Sequence, residues 1–189
     1  MALDVKHTAL LVMDVQNGIV SRYLQGETTL RPFQDAVEAA RQAGMQVIFV
    51  RVGFSDGFPE VSPRNKMFSH LAQAGNMTVS SDTTQIHPAL APRPHEPIVT
   101  KYRVSAFAGS NLEVILRAKD IKHLVLCGIA TSGVVLSTLR EAADKDYELT
   151  VLKDACLDAD PEVHRVLVEK VFPRQAEVTT VAEWTKSLA

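Results

Sequence analysis

Three places in the chain combine residue type and position in a way that points to chemistry: Asp14, Lys101, and the run from Gly128 to Val134. Asp14 follows the apolar Leu10-Leu11-Val12-Met13, so it is predicted at the carboxyl end of a strand, where α/β enzymes place groups that exchange protons with a ligand. The ordinary alternative is a turn aspartate bonded to nearby amides. Lys101 follows Ile98-Val99-Thr100 at the end of another short apolar run. An ammonium beside a carboxylate lowers its pKa and steadies an anion, whereas an exposed lysine does neither. The third place runs from a strand through Gly128-Ile129-Ala130-Thr131-Ser132-Gly133-Val134 into a helix predicted to begin near Ser132. Backbone amides at a helix start converge and favour negative charge, which makes Ala130, Thr131, Ser132, Gly133 and Val134 candidates for an oxyanion or pocket wall. Thr131 and Ser132 also read as plain N-caps. No Lys-Ser/Thr follows this turn, so it is not a phosphate loop.

The elements that must hold these residues are legible as alternating patterns. Thr8 to Met13, Gln46 to Val52, His123 to Cys127 and Glu148 to Leu152 are unbroken apolar runs of strand length, as in a parallel sheet covered on both faces. Phe33, Val37 and Ala40 share one helical face before Gly44, and Leu112, Ile115 and Leu116 share another after Ser110, whose hydroxyl is predicted to form a capping box with Glu113. Asp160-Pro161 is an N-cap and first-turn pair opening a helix to about Val171, followed by a short strand near Val178 and a last helix through Trp184. The alternation predicts a single domain over 1–189: an α/β, three-layer, doubly wound, mostly parallel sheet with helices on both faces. Gly53 to Pro97 interrupts the rhythm with most of the prolines and one predicted helix near Asn65 to Gln73. It is expected to border the site.

Composition narrows the function classes. The formal net charge is -2 and no basic cluster stands out, so nucleic acid and anionic membranes are not expected partners. The two cysteines, Cys127 and Cys156, form no CxxC pair, which fits reduced thiols in a cytoplasmic protein. No apolar stretch approaches the roughly 18 residues of a membrane span, and the first residues do not read as a signal peptide.

Taken together, Leu-Val-Met-Asp14-Val-Gln-Asn, Val-Thr-Lys101-Tyr-Arg-Val-Ser-Ala-Phe-Ala-Gly and Leu-Cys-Gly128-Ile-Ala-Thr-Ser-Gly-Val-Val resemble the isochorismatase-like, or cysteine hydrolase, family over roughly the whole chain. Val151-Leu-Lys-Asp154-Ala-Cys matches its pattern too. The resemblance implies a Rossmann-like hydrolase with Asp14 and Lys101 as catalytic residues, no cofactor, a small-molecule substrate, and a homodimer or larger homo-oligomer. It also implies a cis Ile129-Ala130 peptide. In hydrolytic members the segment resembles Gly-x-Ala-Thr-x-x-Cys-Val with the cysteine as nucleophile, and the matching position here is Val134, which has no nucleophilic atom. True isochorismatases resemble this fold yet lack the cysteine and are thought to cleave a vinyl ether by proton donation from the aspartate. They typically read Tyr-Ala-His where this chain has Ala130-Thr131-Ser132.

The expectation is therefore acid-base chemistry at Asp14 and Lys101 on a small anionic metabolite. Gln16, Arg51, Arg103 and Phe107 are candidate substrate contacts, Arg64 a further carboxylate contact, and Ser132 an alternative nucleophile. No Asp-x-His spacing links Asp56, His70, His87 or His95, so no metal is expected. The competing expectation is a non-catalytic binding or scaffold member of the same fold.

Overall fold

The computed structural model describes residues 3–24, 26 and 28–188. Its centre is a six-stranded sheet whose described strands are all parallel, in the order β3-β2-β1-β4-β5-β6. The strands are β1 (Thr8–Met13), β2 (Gln46–Val52), β3 (Ile98–Lys101), β4 (His123–Ile129), β5 (Glu148–Leu157) and β6 (Glu177–Thr179). The helices are α1 (Asn17–Val20), α2 (Arg31–Gln42), α3 (Lys66–Ala74), α4 (Leu112–Ala118), α5 (Leu136–Asp144), α6 (Pro161–Val166) and α7 (Val181–Ser187).

Every residue of β1 is buried, because side chains alternate between two covered faces. Ala9, Leu11 and Met13 join the core under α4 and α5, while Leu10 and Val12 join the core under α2 and α7. Helix α2 earns its position with Phe33, Ala36, Val37 and Ala40 on one face, and it stops at Gly44, whose φ of 72° suits a residue without Cβ. Asp160 caps α6 by accepting from the amides of Glu162 and Val163, and Leu167–Val171 continue it as a wider turn.

Two local expectations need correction. Ser110 does not form a capping box with Glu113. Its hydroxyl accepts from the Leu112 amide, and the Glu113 carboxylate instead pairs with Lys145 at 2.7 Å. The helix starts one residue later than that spacing requires, with Asn111 at the N-cap, so Glu113 falls at the second helical position and not the third. Strand β5 also runs past Leu152 to Leu157, with a register shift opposite Leu126 and Gly128 that ordinary alternation does not reveal.

The order 3-2-1-4-5-6 makes the chain reverse its winding between β1 and β4. A crevice forms at the carboxyl ends of strands at such a point. Close contact of β1 and β4 there depends on Gly128: a Cβ on it would lie 2.5 Å from the Met13 carbonyl oxygen.

Candidate active site

Asp14 follows β1 with φ of 58°, a left-handed conformation that aspartate tolerates better than most residues, and its amide donates to the Val50 carbonyl at 2.9 Å. Lys101 ends β3 and reaches across the end of β2. Its Nζ lies 2.9 Å from Asp14 Oδ2 and donates to the Arg103 carbonyl at 2.9 Å. Those contacts use two of the three ammonium protons. The side chains are 1% and 8% exposed, so this pair is almost wholly removed from water. Asp14 Oδ1 is buried with no hydrogen-bond partner among the described residues. Burial pushes the Asp14 carboxyl above the usual carboxylate range, against the opposing charge and hydrogen bond of Lys101.

The pair lies in a cavity of about 450 Å³. Ala130, Ser132, Gly133 and Val134 line it from the turn after β4, and the Ile129-Ala130 peptide is cis. Gly18, Ile19, Arg22 and Tyr23 close one side from the segment that follows Asp14. Met67, Phe68, Leu71 and Met77 close the other, so the long excursion between β2 and β3 does border the cavity. Helix α3 is held in place at its start by Asn65, whose side chain accepts from the Phe68 amide. Phe68 and Met77 in turn pack with Val52 and Phe54 in a small core of their own.

Other candidates from the sequence lie elsewhere. Thr131 is fully buried and its hydroxyl bonds His164 Nδ1 at 2.8 Å, so it does not line the cavity. Gln16 is also fully buried. Its amide donates to the carbonyls of Val52 and Thr84 and accepts from the Val52 amide, stitching the excursion to β2. Arg51 is engaged by Thr100, Val79 and Gln85. The Arg103 guanidinium donates to the carbonyls of Tyr102 and Glu60 and lies over the Phe68 ring. Phe107 stacks on Tyr147 in the core. Arg64 is absent from the lining. Arg22, Tyr23, Met67, Leu71 and Met77 carried no signal that would have assigned them to the site, because only packing brings them there.

The turn after β4 spends some of its amides internally. Ser132 N–H donates to Asp158 at 2.7 Å and Gly133 N–H to the Ala130 carbonyl at 3.1 Å. Asp158 is held below the ordinary carboxylate range: burial pushes it up, but the Ser132 hydrogen bonds, with the amides of Ala159 and Asp160, outweigh that. Neither cysteine is among the described residues that line the cavity. Cys127 faces the opposite core, its thiol pushed far up by burial and donating to the Leu11 carbonyl. Burial pushes the Cys156 thiol up to about 12. No group of His, Cys, Asp and Glu suited to a metal ion occurs among the described residues.

A family model described as the isochorismatase domain matches residues 8–183. An uncharacterized isochorismatase family protein, YwoC of Bacillus subtilis strain 168, is 31% identical over 186 residues, covering 98% of this chain and 96% of its own. A ureidoacrylate amidohydrolase, RutB of Stutzerimonas stutzeri strain A1501, is 34% identical over 184 residues, covering 86% and 74%. The solved structure of an isochorismatase family protein from Burkholderia thailandensis superimposes with a TM-score of 0.82 at 28% identity, covering 99% and 97%.

Proposed function

Because the chain belongs to the isochorismatase family, we propose that it is a hydrolase that acts on a small anionic molecule by proton transfer at Asp14, with no thiol nucleophile. The observation that carries this reading is the buried Asp14–Lys101 pair. One carboxylate oxygen is held at 2.9 Å by the ammonium and the other has no partner among the described residues, in a cavity that Val134 helps to line. A buried unpartnered carboxylate oxygen is costly to keep, and a ligand that donates a hydrogen bond or proton to it offsets the cost.

A carboxyl whose pKa burial has raised keeps its proton closer to neutral pH and can give it to a leaving oxygen or nitrogen. The carboxylate left behind is stabilised by Lys101, and in the return step it takes a proton from water, which supplies the incoming oxygen. Val134 stands where the family resemblance puts the nucleophilic cysteine. A side chain of hydrogen and carbon cannot form an acyl intermediate, so the reading requires direct attack by water. The cavity's apolar walls support proton transfer by keeping bulk water from solvating Asp14.

The name of the RutB relative places ureide and amide bonds on the substrate panel, beside vinyl ethers and esters. Wild type is expected to turn over at least one class, and Asp14→Asn to lower that rate by about 10²–10⁴-fold, the usual contribution of a positioned acid or base. Val134→Cys is expected to gain amide hydrolysis that thiol alkylation abolishes. Binding of panel compounds with no turnover by wild type would replace this reading with that of a binding protein.

A further inference from the structure

Among the described residues the cavity has three charged lining residues, Asp14, Lys101 and Arg22. The first two are buried at its inner end and pair through Asp14 Oδ2, whereas Arg22 is exposed and marks the outer end. The Arg22 guanidinium makes no ion pair with any described residue. It also borders a neighbouring recess holding Asp154 and Asp158, where Asp154 accepts from the Val181 amide and Asp158 from the amides of Ser132 and Asp160. Among the described residues Arg22 thus lines the cavity at an exposed position with no ion-pair partner.

Most of the remaining wall is apolar, with Ser132, Ser137 and Tyr23 as its polar members. Ile19, Phe68, Leu71, Met77 and Val134 supply the apolar part, with Val104 beside them. Arg22 is set by the short helix α1, which starts soon after Asp14. That helix presses against the turn Asp82–Thr84 so closely that a Cβ on Gly18 would stand 2.8 Å from Thr83 Cβ. Asn17 adds a hydrogen bond to the Asp82 carbonyl. The proton-transfer end and the outer cation are therefore carried by one short stretch of chain braced near Asn17 and Gly18.

We propose that Arg22 is the specificity-determining residue of the cavity, and that its ligands carry an apolar body with one terminal carboxylate. The body fills the wall between Asp14 and the opening, and the carboxylate meets the guanidinium, whose planar fork matches it in a bidentate fashion. The assignment of Asp14 to the reacting end rests on the proposed function. Arg51 and Arg103, the cations that the sequence suggested for this task, are both engaged elsewhere.

The test uses hydrocinnamate and its neutral isostere hydrocinnamamide as probes, with binding measured by calorimetry on the full chain. Wild type is expected to bind the acid about tenfold more tightly than the amide, a charge-assisted contact reduced by exposure. Arg22→Met is expected to equalise the two, Arg22→Lys to keep part of the preference, and Arg22→Glu to favour phenylpropylamine. Raising the salt concentration is expected to shrink the wild-type preference. Equal affinities in wild type, a preference that survives Arg22→Met, or no binding of either probe to folded wild type would each overturn the assignment.

The same titrations on Asp14→Asn separate the two proposals. A retained acid preference, with turnover unaffected by that substitution, would remove the acid-base reading and leave Arg22 as the anion contact. Turnover that depends on Asp14 without any acid preference would overturn Arg22 alone.

Discussion

Removing the ammonium from the buried pair should cost the fold more as the pH rises. At 2.9 Å two unit charges attract by about 6 kcal/mol at an effective dielectric of about 20, and desolvation offsets part of that. Breaking such a buried pair by deleting one partner typically costs roughly 3–5 kcal/mol, because the other charge is left uncompensated. Lys101→Met is therefore expected to lower stability by about 3 kcal/mol at pH 8, or about 6–12 °C in Tm for a chain of this size. At pH 5 the loss should be smaller, because Asp14 can escape by keeping a proton.

The sign follows from linkage. Burial already raises the Asp14 pKa, and loss of Lys101 raises it further, so the folded state holds a proton that the unfolded state has released. Stability then falls as pH climbs from the ordinary carboxylate range through the raised value. Urea denaturation of wild type, Lys101→Met, Asp14→Asn and the double variant at pH 5 and 8 measures this as a double-mutant cycle. A coupling of about 3 kcal/mol at pH 8 is expected. Additive single effects, or a Lys101→Met deficit independent of pH, would refute the picture of a desolvated, mutually dependent pair.

Three further outcomes follow from other parts of the structure. Glu96 accepts two bonds from Arg41 at 2.8 Å and one from the Arg93 amide at 2.7 Å. Burial pushes its carboxyl up, but these bonds and the arginine charges outweigh that and hold it below the usual range. Glu96→Gln should cost about 3 kcal/mol in urea melts near neutral pH, and wild type should lose that advantage as pH falls through the lowered pKa. Gly128→Ala would drive a methyl into the Met13 carbonyl, and a loss of about 3 kcal/mol is expected in thermal melts, since backbone cannot rotate aside. Ellman's reagent should label neither of the two thiols in the native chain at pH 8 and both in guanidinium, because burial disfavours each thiolate. Rapid native labelling of either thiol would contradict the buried environments.

The layer architecture was legible in the residues because strands buried on both faces must be apolar throughout, and Thr8 to Met13 needs no partner in view to declare itself. Placing Asp14 and Lys101 at strand tips followed from the same runs. Caps that need only neighbouring residues, such as Asp160 before Pro161, were equally readable.

What the residues alone could not decide was which long polar side chain meets which partner. Gln16, Arg51 and Arg103 have the right chemistry for a ligand, yet carbonyls and hydroxyls brought close by folding satisfied them first. Arg22 and Met67 showed no pattern in the sequence, and the packing of α1 and α3 put them at the cavity. Secondary structure is written in short-range periodicity, but a cavity is made where segments far apart in the chain converge. Its lining is therefore a property of the tertiary structure, settled by how the excursion packs against the sheet.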